Sequence, residues 1–213
     1  MMQLHSFWRS SAAFRVRIAL NLKRLPFETL STALGKGAHR AAAYTALNPQ
    51  ALIPALVDGG TVFSQSLAII EYLEETHPEP ALLPSGATAR AVVRSMAQAI
   101  ACDIHPLNNL RVLNYLKGPL GHDEATVKTW YGHWIAEGFA GLEQLARRHS
   151  ADRRFLHGAA VSMADICLVP PVYNARRFEC DLVPFPTLTA ISSALEALPA
   201  FADARPEVQP DAT

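Results

Sequence analysis

The spacing of apolar positions changes period several times in the first third of the chain. Met1 to Phe7 reads as a short strand. From Ser11 to about Lys23, Phe14, Ile18 and Leu22 recur every four residues with Arg15 and Arg17 opposite, which predicts an amphipathic helix. Phe27 to Leu30 reads as a second strand, and Ala38 to Leu47 as a second helix ended by Asn48-Pro49. Ile53 to Val57 and Thr61 to Phe63 read as strands on either side of Asp58-Gly59-Gly60. A further helix over Ser66 to Thr76 completes an α/β unit, and the proline-rich stretch from His77 to Gly86 reads as a linker. The expected division is a first domain over residues 1–80, a linker over 81–87 and a second domain over 88–213.

Beyond the linker the period is helical throughout. Thr88 to Tyr115 reads as one long helical segment kinked by Pro106, which lacks a backbone donor and clashes with the preceding turn. Asp123 to about His149 reads as another, with Trp130 and Trp134 one turn apart. Ser162-Met163-Ala164-Asp165 is an S-x-x-D capping box, the clearest helix start in the chain, and Val161 and Ile166 fit its hydrophobic staple. The tail from Ala204 to Thr213 is polar and expected to be mobile.

Composition narrows the functional classes. Half of the 213 residues are apolar, enough to bury a core without staples. No apolar run approaches the roughly 20 residues that span a bilayer. The N-terminus lacks the layout of a signal peptide, so a cytoplasmic protein without membrane association is expected. Lys plus Arg and Asp plus Glu are equal at 19 each, so no global field draws nucleic acid or a membrane surface, and an anion must be held locally. Cys102, Cys167 and Cys180 are odd in number and lack CxxC spacing, which argues against disulfides, a zinc site or a dithiol pair. They are expected as reduced thiols, mostly in the core. No GxGxxG, P-loop, HExxH or GxSxG motif is present, and no metal is expected.

Three local signals carry chemistry. Ser10-Ser11-Ala12-Ala13-Phe14-Arg15 stands at a strand-to-helix junction, where unpaired N–H groups and the positive end of the helix dipole favour an anion such as a thiolate. The plainer reading makes both serines N-cap residues. No cysteine of this chain lies there, so the sulfur would arrive with a ligand. Ile53-Pro54 falls where a strand begins; proline there needs an edge, a first position or a cis bond, and a cis bond would turn the Ile53 backbone outward to pair with a peptide-like ligand. Gln65-Ser66 opens the next helix, either as a cradle for a carboxylate or as an ordinary cap. Together the three describe a site for a small, acidic, thiol-bearing peptide.

The segments SSAAFRVRIALNLK, LNPQALIPAL, QSLAIIEYLEE and MADICLVPPVYNARRF are similar to the zeta class of glutathione transferases, over nearly the whole chain. The resemblance implies the glutathione transferase fold, a thioredoxin-like α/β N-terminal domain followed by an all-α C-terminal domain. It also implies a cis Pro54 and a homodimer with glutathione as cofactor. Carried over by position, Ser10 and Ser11 lie at the glutathione sulfur as catalytic residues, Gln50 and the Ile53 backbone hold its peptide, and Gln65 and Ser66 hold its γ-glutamyl end. His39, Asp103, His105 and Asn109 are further transfers to glutathione binding. Bacterial members that isomerise maleylpyruvate also share FWRS, CDIHPxNN and ARRF, which places Arg9, Arg111 and Arg177 at the substrate. Taken singly, each arginine reads as a solvated or structural charge. Many members carry cysteine where this chain has Ala12, so chemistry requiring that thiol is not expected.

The implied reaction is conversion of maleylacetoacetate, a small dicarboxylate diketo acid of tyrosine degradation, to fumarylacetoacetate. Thiolate addition to the cis double bond, rotation and elimination would isomerise it without net conjugation. Maleylpyruvate isomerisation in gentisate degradation is the alternative, and a general glutathione transferase the next. A non-catalytic association module would gain nothing from the serines and glutamines.

Overall fold

The computed structural model describes residues 1–213. β1 (Met2–Ser6) and β2 (Phe27–Ser31) are parallel, with Leu4 opposite Thr29. A parallel pair needs a crossover, and α1 (Ser11–Leu22) supplies it. β3 (Ala55–Asp58) runs antiparallel to β1, and β4 (Thr61–Ser64) antiparallel to β3, so the sheet order is β2-β1-β3-β4. Gly59 and Gly60 turn that last hairpin at φ 55° and 83°, a backbone region that glycine enters without steric cost. α3 (Ser66–Thr76) spans the residues its pattern predicts and packs on α1. Leu4, Val16, Ile18, Leu20, Leu56, Ile69, Ile70 and Leu73 are fully buried and form the core of this unit.

Two expectations for this region are corrected. The helix over Ala38–Leu47 is in fact a 3-10 turn, Ala38–Arg40, an extended Ala41 and a short α2 (Ala42–Leu47) of which only Tyr44 is buried. With so little apolar surface to anchor, the segment follows the loop rather than one helical axis. The second correction concerns α1, which is not amphipathic: Arg15 and Arg17 are each 1% exposed. For Arg17 burial is tolerated because the guanidinium donors meet oxygens. Arg17 donates to Ser6 Oγ at 3.1 Å, the Trp8 carbonyl at 2.9 Å and the Ala204 carbonyl at 3.1 Å. Desolvation still lowers its pKa to about 10, against the opposing pull of the Asp211 charge.

By packing, residues Met1–Leu82 and Leu198–Thr213 form one compact unit and Leu83–Ala197 the other. The C-terminal segment therefore groups with the sheet and not with the helices before it. α10 (Pro199–Ala202) lies against α1, Phe201 and Ala204 are buried, and Asn21 Nδ2 donates to the Ala200 carbonyl at 3.0 Å. A tail expected to be mobile is held because it supplies acceptors that buried donors of α1 require. The linker end is tied likewise. Lys23 Nζ donates to Glu74 Oε2 at 2.9 Å and to the carbonyls of His77 and Pro80 at 2.6 and 3.1 Å.

The second unit contains α4 (Ala87–Gln98), a π-helical turn (Ala99–Ile104), α5 (His105–Leu107), α6 (Leu110–Lys117), α7 (Glu124–His149), α8 (Met163–Arg177) and α9 (Pro186–Glu196). The long helix expected over Thr88–Tyr115 is broken rather than kinked. Beyond the π turn and Pro106, the Asn109 side chain accepts the Arg111 N–H at 3.1 Å and starts α6 as a new helix. The capping box forms: Asp165 Oδ2 accepts the Ser162 N–H at 2.8 Å and its hydroxyl at 2.7 Å, and Oδ1 accepts the Leu156 N–H at 2.7 Å. Burial pushes the Asp165 carboxyl up to about 6 against these three donors. α8 is buried on all sides from Met163 to Val172 and packs on α4 and α9. Of the three free cysteines only Cys167 is buried; Cys102 is exposed on the π turn and Cys180 half-buried, so the expectation that most lie in the core is not met. No helix is long and apolar enough to cross a membrane.

Candidate active site

In the first unit the site is built at two helix starts. Ser10 is the N-cap of α1, and its Oγ accepts the Ala13 N–H at 3.2 Å. Since the oxygen accepts, the hydroxyl proton is still available to donate. The Phe14 N–H is bonded to the Ser10 carbonyl at 2.8 Å, whereas the Ala12 N–H enters no hydrogen bond. Ser11 follows as the first helical residue and is buried. An anion placed at this end would meet a hydroxyl donor, an amide and the helix dipole together. Arg9 is exposed just before, its guanidinium 4.4 Å from the Trp8 ring centroid.

The second start is that of α3. Gln65 precedes it at φ 68°, a left-handed conformation costly for a residue with a Cβ and common at ligand clamps. Its Nε2 donates to Gln50 Oε1 at 3.0 Å on the exposed surface, so the structure brings these two predicted residues together. Ser66 is buried, and its Oγ accepts from Arg15 Nη1 at 3.3 Å. Arg15 thereby links the second turn of α1 to the start of α3. Sequence reasoning missed that role, having turned Arg15 toward solvent; the signal was an arginine conspicuously set among apolar residues.

The loop before β3 is pinned from below. The Leu52 carbonyl accepts from the Tyr44 hydroxyl at 2.6 Å and from Asn48 Nδ2 at 2.8 Å, and Asn48 Oδ1 accepts the Gln50 N–H at 3.1 Å. Asn48, read from sequence as a helix stop, is a buried support of this loop. The Ile53–Pro54 bond is cis, and the Ile53 N–H and carbonyl enter no hydrogen bond. An unpaired peptide unit beside a half-exposed loop suits backbone pairing with a ligand. His39 sits in the 3-10 turn with a buried, unpartnered Nδ1; burial and the neighbouring Arg40 lower its pKa, and no hydrogen bond joins it to the glutamines.

In the helical unit, His105 Nε2 lies 3.3 Å from Asn109 Nδ2, and Asn109 caps the turn that carries Arg111. These three predicted residues are contiguous. Asp103 is exposed on the π turn and makes no hydrogen bond with them. Arg111 is exposed on the first turn of α6, its guanidinium in no hydrogen bond or ion pair. Arg177 is exposed at the end of α8; its guanidinium stands 4.5 Å from the Phe178 ring, and its Nε donates to Asn174 Oδ1 at a long 3.4 Å. Phe178 stacks on Tyr131 at 3.9 Å, and burial raises the Tyr131 hydroxyl above its ordinary pKa while the Arg177 charge opposes that rise. Arg177 thus has an aromatic platform.

Residues 9–76 match the family model described as glutathione S-transferase, N-terminal domain, the class that the sheet order, the two helix starts and the loop at Ile53 define. A probable maleylacetoacetate isomerase of Vibrio cholerae is 51% identical over 211 residues, 98% of this chain and 97% of that protein. The solved structure of a maleyl pyruvate isomerase, described as a bacterial glutathione S-transferase of the zeta class, superposes with a TM-score of 0.97 at 48% identity, covering 99% of this chain and 100% of that one. That of a maleylacetoacetate isomerase from Methylobacterium extorquens AM1, with bound malonate and glutathione, has a TM-score of 0.94 at 40% identity and covers 99% of both chains. The chain belongs to the zeta class of glutathione transferases, the family of maleylacetoacetate and maleylpyruvate isomerases.

Proposed function

We infer that this protein is a glutathione-dependent cis-trans isomerase that converts maleylacetoacetate to fumarylacetoacetate. The observation that carries the reading is the start of α1, where Ser10 caps the helix through its oxygen and keeps its proton, beside an amide with no acceptor. Glutathione, when bound, supplies the thiolate whose reversible addition to an electron-poor double bond lets that bond rotate. The residues present fit such a tripeptide: Ser10 donates to the sulfur with Ser11 next in line, Gln50 and the Ile53 backbone hold the peptide, and Gln65 and Ser66 hold the γ-glutamyl carboxylate. His39, Asp103, His105 and Asn109 are assigned further contacts to the tripeptide. Residues 1–80 then serve as the glutathione-binding domain, and the helices after residue 88 provide side chains for the acceptor acid.

Arg9, Arg111 and Arg177 are assigned to the carboxylates and to the charge that develops on the keto oxygen. Planar guanidinium groups suit this acid because they bind carboxylates through two parallel N–H donors. A second reading, maleylpyruvate as substrate, is favoured by the high structural similarity to a maleyl pyruvate isomerase. The two acids differ mainly in tail length. Family resemblance also supports a cytoplasmic homodimer, which sedimentation equilibrium would test.

The deciding experiment follows loss of maleyl absorbance with each acid, with and without glutathione. Glutathione-dependent turnover with maleylacetoacetate preferred is the expected result; preference for maleylpyruvate reverses the order of the two readings, and turnover indifferent to glutathione ends the mechanism. Ser10→Ala should lower kcat on the order of a hundredfold, the scale for losing one donor to a developing or stabilised anion, while the glutathione half-saturation moves little. Full activity in Ser10→Ala together with its loss in Ser11→Ala would exchange the two roles.

A further inference from the structure

The loop that presents the thiolate-site serine is fastened by the far end of the chain. Between β1 and α1, the Trp8 N–H donates to Asp211 Oδ2 at 3.2 Å and the Trp8 carbonyl accepts from Arg17 Nη2 at 2.9 Å. Both backbone polar groups of Trp8 are therefore held by residues outside the loop. The same Asp211 oxygen accepts the Ser31 hydroxyl at 3.0 Å, at the end of β2. The tail is shaped to deliver this carboxylate, since Gln209 Nε2 folds back to the carbonyls of Asp203 and Arg205 at 3.0 and 2.9 Å. Downstream, the Arg9 guanidinium stands over the buried Trp8 ring, and the Ser10 N–H donates to the Phe7 carbonyl at 2.9 Å. The Trp8 peptide thus sets where Arg9 and Ser10 begin.

Asp211 Oδ1 is buried and has no hydrogen-bond partner. The Asp211 charge attracts the buried Arg17 guanidinium, while desolvating Oδ1 without a donor costs free energy. What the arrangement secures is orientation.

We propose that Asp211 is a positioning residue: through the Trp8 peptide it fixes the loop that presents Arg9 and Ser10, making the C-terminal tail part of the support of the thiolate site. The proposal rests on the reading of Ser10 as the hydroxyl that serves the thiolate. Loosening the tether displaces that hydroxyl without removing it, and a displacement of an ångström or so at a reacting group is enough to cost turnover heavily.

Asp211→Ala, Asp211→Asn and Ser10→Ala test it beside the parent protein. In the protein without glutathione, amide hydrogen exchange by NMR should be about tenfold faster at Trp8 in Asp211→Ala, with Leu4 and Leu20 unchanged. In the glutathione-dependent assay the same variant should lose about tenfold in kcat, with the glutathione half-saturation within about threefold of parental. Asp211→Asn keeps a carbonyl acceptor of the same reach and should recover at least half of both losses. The proposal is overturned if Trp8 exchange stays parental in Asp211→Ala, if it quickens while kcat holds within twofold, or if Asp211→Asn is as impaired as Asp211→Ala. Equal turnover by the parent and Ser10→Ala would instead remove the reading of Ser10, while the Trp8 exchange still reports whether the tether exists.

Discussion

Arginine is used in opposite ways in the two units. In α1, Arg15 and Arg17 are each 1% exposed, and Arg17 commits three donors to protein oxygens of β1, the following loop and the C-terminal tail. In the helical unit, Arg111 and Arg177 are exposed, Arg111 without an ion pair and Arg177 over an aromatic ring. A donor already spent inside the protein cannot receive a ligand, so its charge works on the fold. The exposed guanidinium of Arg111 commits no donor inside the protein, and an exposed charge adds little to stability. Exposure and hydrogen-bond occupancy, and not residue type, separate the scaffold arginine from the candidate substrate arginine.

The sharpest way to break this contrast is Arg17→Met. It strands the Ser6 hydroxyl and the carbonyls of Trp8 and Ala204 in the interior, and should cost about 3 to 5 kcal/mol, the scale for removing one partner from a buried charged network. Urea denaturation measures it, and a loss below about 1 kcal/mol, the worth of one ordinary hydrogen bond, would place Arg17 in the same class as the exposed arginines.

Arg111→Ala and Arg177→Ala probe the other side. Each should lower kcat/KM for the maleyl acid on the order of tenfold to a thousandfold, about 1.4 to 4 kcal/mol, with the urea midpoint and the glutathione affinity little changed. Two normally folded variants that isomerise at the parental rate would dissolve the arginine assignment and favour a general transferase.

Gly138→Ala disturbs the π turn before α5 without touching a charge. A Cβ at this position of α7 would stand well inside contact distance of Ile104 Cγ1 and Cδ1, so the Ile104 side chain, and with it the packing of the π turn that leads toward Asn109 and Arg111, must shift. A cost of about 1 to 3 kcal/mol in unfolding free energy is expected, as for other overpacked sites. A raised KM for the maleyl acid should accompany it if the π turn sets where α6 begins, and an unchanged KM would separate the two.

The capping box at Ser162 and the helix over Ser66–Thr76 were legible because their instructions are local. Ser162 and Asp165 lie three residues apart and satisfy one another whatever the rest of the chain does. The helix start at Ser10 was legible for the same reason, as an N-cap at a strand-to-helix junction. The orientation of Arg15 and Arg17 was not. A four-residue apolar repeat placed them toward solvent, and their partners lie as far along the chain as Ser66 and Ala204. The break after Pro106 was half legible: proline announced a disturbed helix, while the fresh start depended on Asn109 turning its side chain onto the Arg111 amide.

By itself the sequence determined the order of strands and helices through Thr76, the capped starts at Ser10 and Ser162, and the family to which the chain belongs, since each is written in short spacings and contiguous segments. Only the tertiary structure decided which guanidinium groups are buried and which exposed, that Gln50 meets Gln65, and that a polar tail returns to hold Trp8 through Asp211. The physical reason is desolvation. A buried polar group must find its partner in space, and the chain brings that partner from a distance along the sequence that no local period encodes.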